Sequence, residues 1–219
     1  MNIVVVGGKG LIGRALCNEL SAHSIDLPEV DITNENRVRD WACQYWQDVG
    51  LVDVLINCAC VRTENFYMPV IDFPLEEWNR AMNVNVTGAF LLTQGFLHYM
   101  SEGSCIINFS SIYGVKAPDP KLYEGVDFNT PLIYSVTKSA IIGMTRHLAT
   151  ELSPNIRVNC ISPGGIYNGQ PDNFVARYNE KTPLGRMAKV EDIVSAVKFL
   201  IENQYVTGQN IIVDGGFTL

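Results

Sequence analysis

The chain has 219 residues, 47% of them hydrophobic, and a formal net charge of −7. That apolar content supports a buried core and excludes a disordered chain, while the acidic balance, with no lysine or arginine run, argues against nucleic acid and anionic membrane surfaces as partners. No apolar run reaches the ~18 residues a bilayer span needs, and neither the six cysteines nor the three isolated histidines have zinc-ligand spacing, so no metal site is expected.

The first element, NIVVV (2–6), is a β-branched run ending in glycines and reads as a buried parallel strand. No basic n-region precedes it, so no signal peptide is expected; with cysteines in apolar surroundings, this points to buried reduced thiols and the cytoplasm. VVVGGKGLIG (4–13) then places Gly7, Gly10 and Gly13 after the strand and at the start of a helix predicted over 11–23. Gly7 permits a tight turn, Gly10 lets backbone approach a pyrophosphate, and Gly13 allows close helix–strand packing. Leu11 and Ile12 open that helix, whose free N–H groups and positive dipole end suit phosphate. Asp26, 19 residues after Gly7, stands where a ribose-binding carboxylate is expected and would repel a 2′-phosphate. Lys9 pulls the other way, so NAD is favoured over NADP without excluding it.

Further strands are predicted at VDVLIN (52–57), SCIINFS (104–110), NIRVNCIS (155–162) and NIIVD (210–214), with helical stretches at 34–48, 75–100, 132–152 and 190–202. This alternation predicts the α/β class: a Rossmann-type doubly wound parallel sheet with helices on both faces, in one domain over 1–219. Ligands should sit beyond the carboxyl ends of the strands. YSVTK (134–138) places Tyr134 and Lys138 on one helix face, one turn apart. A phenol has a reference pKa near about 10, so a tyrosine acting as an acid near neutral pH needs a neighbouring cation.

With these motifs in order, nearly the whole chain resembles the short-chain dehydrogenase/reductase family. GGKGLIG is similar to its cofactor turn, VDVLINCAC to the strand ending in Asn-Asn-Ala-Gly, NVNVTGAF to its helix asparagine, IINFSSIYG to its serine, VNCISPGGI to its nicotinamide turn and VTGQNIIVDGGF to its last strand. The resemblance implies an NAD(P)-dependent alcohol/carbonyl oxidoreductase. Tyr134 would be the general acid or base, Ser111 would bond the substrate oxygen, Lys138 would tune Tyr134 and bind the nicotinamide ribose, and Asn85 would hold a proton-relaying water. Asn57, Ala59, Pro163, Gly164 and Ile166 would contact the cofactor, and Asp31 and Ile32 its adenine. A homodimer or homotetramer is the family's usual assembly.

Three departures stand out. SIDLPEVDIT (24–33) compresses the family's strand–helix–strand at the adenosine side into ten residues, so one unit is expected to be shortened. Cys60 stands where the family has glycine; two buried thiols pointing to opposite sides of a strand end are favoured over a redox-active Cys58/Cys60 pair. The segment 112–133 is long and polar, and is expected to wall the substrate pocket with hydrogen-bonding groups for a polyhydroxylated substrate, beside a lid at 164–187. Together, the lid and loop resemble dehydrogenases of bacterial surface-sugar and nonulosonic-acid biosynthesis, which implies a small, sugar-like substrate. The alternatives are a non-catalytic dinucleotide-binding or redox-sensing protein, and an NAD-dependent sugar-nucleotide epimerase or dehydratase, against which the short chain argues.

Overall fold

A computed structural model describes residues 1–219. Six short apolar runs form one parallel sheet: β1 (Ile3–Val6), β2 (His23–Ile25), β3 (Val52–Asn57), β4 (Met100–Phe109), β5 (Ile156–Pro163) and β6 (Asn210–Val213), in the order β2-β1-β3-β4-β5-β6. Each strand needs a crossover to stay parallel. The connections include α1 (Leu11–Leu20), α2 (Glu35–Asp48), α3 (Leu75–Met82), α4 (Gly88–Phe96), α5 (Leu132–Leu152), α6 (Asp172–Lys181) and α7 (Val190–Glu202).

The strands are apolar on both faces because both are covered. Val4, Val6, Leu55, Ile106 and Val158 pack against α2, α4 and α5 through Val38, Ala42, Leu92, Phe96 and Ala149. Ile3, Val5, Ile56 and Ile107 face the other way, onto Leu16 of α1 and Ile193, Val197 and Leu200 of α7. The alternation of side chains along each strand divides them between these two cores. From β1 the chain goes to one side for β2 and returns on the other for β3, which puts a switch point, and hence a crevice, at their carboxyl ends.

The shortened adenosine side is present as expected: β2 is a three-residue edge strand, and no helix stands between it and α2. Two expectations change. The stretch 75–100 is not one helix: α3 and α4 are joined by a π-helical turn, Asn83–Thr87, and β4 already begins at Met100. The stretch 164–187 holds a helix outside the predicted helical stretches, α6. No helix is long and apolar enough to cross a membrane, and no group of three or more His, Cys, Asp or Glu has metal-binding geometry.

Candidate active site

A cleft of about 630 Å³ is lined by the segments that follow β1, β3, β4 and β5. At the β1 end, Gly7 has φ +81°, and a Cβ there would lie 2.8 Å from the Ala59 backbone nitrogen. At Gly13 a Cβ would lie 2.2 Å from the Gly7 carbonyl oxygen, so glycine is required at both positions. Gly10 caps α1 with no side chain, its own N–H donating to Gly7 O at 3.1 Å. The N–H groups of Leu11, Ile12 and Gly13 then have no acceptor within the protein, and all three residues line the cleft. This uncapped helix start fits a pyrophosphate.

Asp26 and Lys9 meet at the shortened end. The Asp26 carboxylate accepts from the backbone N–H groups of Lys9 and Leu27, both at 2.9 Å. The Lys9 ammonium donates to Leu27 O at 2.8 Å and lies 3.8 Å from Glu29 Oε1. Asp31 turns back on its own chain, accepting from the Thr33 N–H and hydroxyl. Ile32 is buried against Gly88, where a Cβ would come within 2.8 Å of Ile32 Cδ1. Asn57 ends β3 between Val6 and Asn108, buried, with its Oδ1 unpartnered. Lys9, Asp26, Asp31, Ile32, Asn57 and Ala59 all lie outside the cleft lining.

The four proton-handling candidates come from three segments: the end of β4, helix α5 and the π-turn before α4. Ser111 follows β4, and its Oγ accepts from the Tyr113 N–H at 3.2 Å. Tyr134 and Lys138 lie on the first turns of α5. The Lys138 ammonium is 4% exposed, donates to Phe109 O at 2.9 Å and lies 5.7 Å from the centroid of the Tyr134 ring. Burial alone would lower its pKa, but Cys60, Tyr134 and Cys58 around it outweigh burial and hold the pKa above the usual lysine range. Lys138 is therefore a buried, retained cation beside the phenol. Ser110 Oγ donates to Lys138 O at 2.7 Å and locks the end of β4 to α5. Ser111, Tyr134 and Lys138 line the cleft together.

Asn85 sits in the π-turn and is 3% exposed. Its Oδ1 accepts from the Val61 N–H at 2.9 Å, and its Nδ2 is buried without a partner. A buried amide with an unused donor suits a water molecule. Pro163 and Gly164 end β5 and line the cleft with Ile166. The Ile166 carbonyl accepts from Gln170 Nε2 at 2.8 Å, while its N–H has no protein acceptor. The expectation of buried thiols is corrected: only Cys105 and Cys160 are buried, and Cys60 is exposed in the cleft because it follows the end of β3, while burial pushes the Cys58 thiol far up.

The long segment after Ser111 docks on α6. Leu122 is fully buried with Phe174, Tyr178 and Phe217. Arg177 of α6 donates to Leu122 O and Glu124 O, at 3.1 and 2.5 Å, and Lys181 pairs with Asp119. One product is a row of hydroxyls in the cleft wall. Tyr123 donates to the Tyr113 hydroxyl and shares a hydrogen bond with Thr130 Oγ1, each at 2.6 Å. With Tyr123 donating to Tyr113, the Tyr113 hydrogen is left free, and burial followed by the adjacent Tyr123 pushes the Tyr113 pKa far up. Tyr113 and Thr130 were not singled out from sequence, because no linear spacing links 113, 123 and 130.

Comparison with known proteins agrees with this geometry. A family model described as enoyl-(acyl carrier protein) reductase matches residues 12–218. A 3-oxoacyl-[acyl-carrier-protein] reductase FabG of Thermotoga maritima is 30% identical, over 89% of this chain and 78% of its own. Post-translational flagellin modification protein A of Campylobacter coli is also 30% identical, over 99% of this chain and 98% of its own. The crystal structure of a short-chain dehydrogenase from Leptospira borgpetersenii with bound NAD+ is 36% identical, with a TM-score of 0.88 over 99% of this chain and 92% of that one. The chain belongs to the short-chain dehydrogenase/reductase family of NAD(P)-dependent oxidoreductases.

Proposed function

We propose that this enzyme interconverts a hydroxyl and a carbonyl on a small, sugar-like substrate, with NAD as the favoured dinucleotide. The dinucleotide, when bound, supplies or accepts the hydride. The free N–H groups of Leu11, Ile12 and Gly13 would hold its pyrophosphate, Lys138 its nicotinamide ribose, and the free Ile166 N–H its carboxamide. Tyr134 passes a proton to or from the substrate oxygen. Ser111 Oγ donates to that oxygen as its charge grows. Lys138 favours the ionised phenol electrostatically, and Asn85 holds a water from its unused Nδ2 donor.

The observation that carries the chemistry is the buried Lys138 ammonium 5.7 Å from the Tyr134 ring centroid, in one cleft with Ser111. NAD is supported by Asp26, and by the engagement of the Lys9 ammonium with Leu27 and Glu29, which leaves it poorly placed to serve a 2′-phosphate. A sugar-like substrate is supported by the Tyr113–Tyr123–Thr130 row. Relatives named as acyl-carrier-protein reductases raise an apolar acyl chain as the rival. Such a chain would leave the free Tyr113 hydrogen desolvated and unmatched. The relative named for flagellin modification is compatible with a role in surface-sugar biosynthesis. Exposed Phe90 on α4 and Leu132 on α5 support a homodimer or homotetramer, which sedimentation tests directly. The six free cysteines are compatible with the cytoplasm.

Tyr134→Phe tests the mechanism. Turnover of aldoses or alditols should fall about 10³-fold, while NADH affinity stays within about twofold. Undiminished turnover would overturn the assignment of Tyr134. Faster turnover of a 3-oxoacyl thioester than of any sugar would overturn the substrate class.

A further inference from the structure

The chain carries 23 acidic residues against 16 lysines and arginines, yet no aspartate or glutamate lines the cleft. The cations there are Lys138 and Arg62. Lys138 is buried and bonded to Phe109 O beside Tyr134. Arg62 is exposed and makes no ion pair or hydrogen bond within the protein.

The backbone places Arg62 close to the chemistry. The preceding residue, Val61, donates to Asn85 Oδ1. The following residues turn back, with Phe66 N–H donating to Thr63 O at 3.2 Å, and the Phe66 ring meets Tyr134 edge-on at 6.2 Å between centroids. From the opposite wall, Asn129 donates to Tyr67 O at 3.2 Å, which joins this connection to the segment bearing the hydroxyl row. The free N–H groups suited to the cofactor pyrophosphate belong to a different element, the start of α1.

We propose that Arg62 anchors a carboxylate or phosphate of the substrate, so that the enzyme acts on acidic sugars in preference to neutral ones. The proposal rests on the sugar-directed reading above. A guanidinium offers a planar fork of donors that matches both anions. In a cleft lined by no carboxylate, on a chain otherwise acidic, its charge favours anionic ligands.

The test measures ligand binding to the enzyme–NADH complex by NADH fluorescence, using glucose against gluconate, glucuronate and glucose 6-phosphate. Wild-type enzyme should bind the acidic members about tenfold more tightly than glucose. Arg62→Gln should remove that preference, leave glucose affinity unchanged and leave NADH affinity within about twofold. Arg62 is exposed, so the substitution leaves the fold intact, and Arg62→Lys should restore part of the preference. Equal wild-type affinity for glucose and the acids would overturn the anion anchor and leave the sugar reading standing. A loss of NADH affinity in Arg62→Gln would assign Arg62 to the cofactor and also overturn it. Failure of every sugar to bind, neutral or acidic, would sink both readings.

Discussion

The two ends of the cleft have been treated in opposite ways. At the β1–β2 end the chain is pared down: β2 has three residues, Asp31 is folded onto Thr33, and Asp26 is bonded to the backbone of Lys9 and Leu27 beside the glycine turn. At the other end the chain is built up: the long segment after Ser111 packs on helix α6 and presents a row of hydroxyls. Backbone groups suffice for a ligand whose phosphates are always the same. A particular substrate needs side chains held in register, and those need a supporting core of their own.

The sharpest way to break this contrast is Leu122→Ala, which leaves a cavity in the small core beneath the insertion. Removing a fully buried leucine costs about 2–5 kcal/mol. Sugar turnover should collapse while NADH affinity holds within about twofold; an equal loss of both would show that the two ends are not independent. Next in size, Tyr123→Phe removes the middle of the hydroxyl row. Steady-state kinetics should show kcat/KM for the sugar falling about tenfold, with a simple apolar alcohol unaffected.

At the other end, Asp26→Asn removes the charge and keeps an acceptor oxygen for one of the two N–H groups, Lys9 or Leu27, that the carboxylate serves. The ratio of NADPH to NADH affinity, from fluorescence titration, should rise about threefold to tenfold, with sugar kcat unchanged. The smallest effect concerns pH. The hydrogen bond from Lys181, followed by that from the Lys121 N–H, holds the Asp119 pKa below its ordinary 3.8. A depressed carboxylate stabilises the fold above its unfolded pKa, and that contribution is lost as pH falls through the folded value. Hydrogen exchange at 117–127 should therefore be unaffected by this pair from pH 5 upward and rise below 3.8. Asp119→Asn should abolish that pH dependence; an unchanged profile would show that Lys181 does not fasten the insertion.

The contrast also explains what sequence reveals. The glycine turn and the Tyr134–Lys138 pair are local: their spacing maps directly onto one turn or one helix face, and the structure places them as that spacing implies. The parallel sheet is legible because its strands are apolar on both faces. What escapes is what depends on distant partners. The π-turn at Asn83–Thr87 lies inside an unbroken apolar helical pattern, and only the docking of Asn85 on Val61 marks it. Helix α6 has visible signals, Pro171 and Asp172 at its start and Phe174 and Tyr178 four apart, but they sit in a stretch whose other prolines and glycines read as loop. Residues 113, 123 and 130 meet only because Leu122 is pulled into a core made by α6. Arg62 is an ordinary polar residue until the absence of acids from the cleft lining is seen.

The joining of the insertion to α6 has a consequence for how such enzymes diversify. Arg177, Asn173 and Lys181 reach residues 119–125, while the sheet and the glycine turn take no part in those bonds. The two segments are thus a matched pair, held by bonds to each other. A chimera that imports one without the other should lose its specificity, whereas one that imports both can take on a new substrate over an unaltered engine.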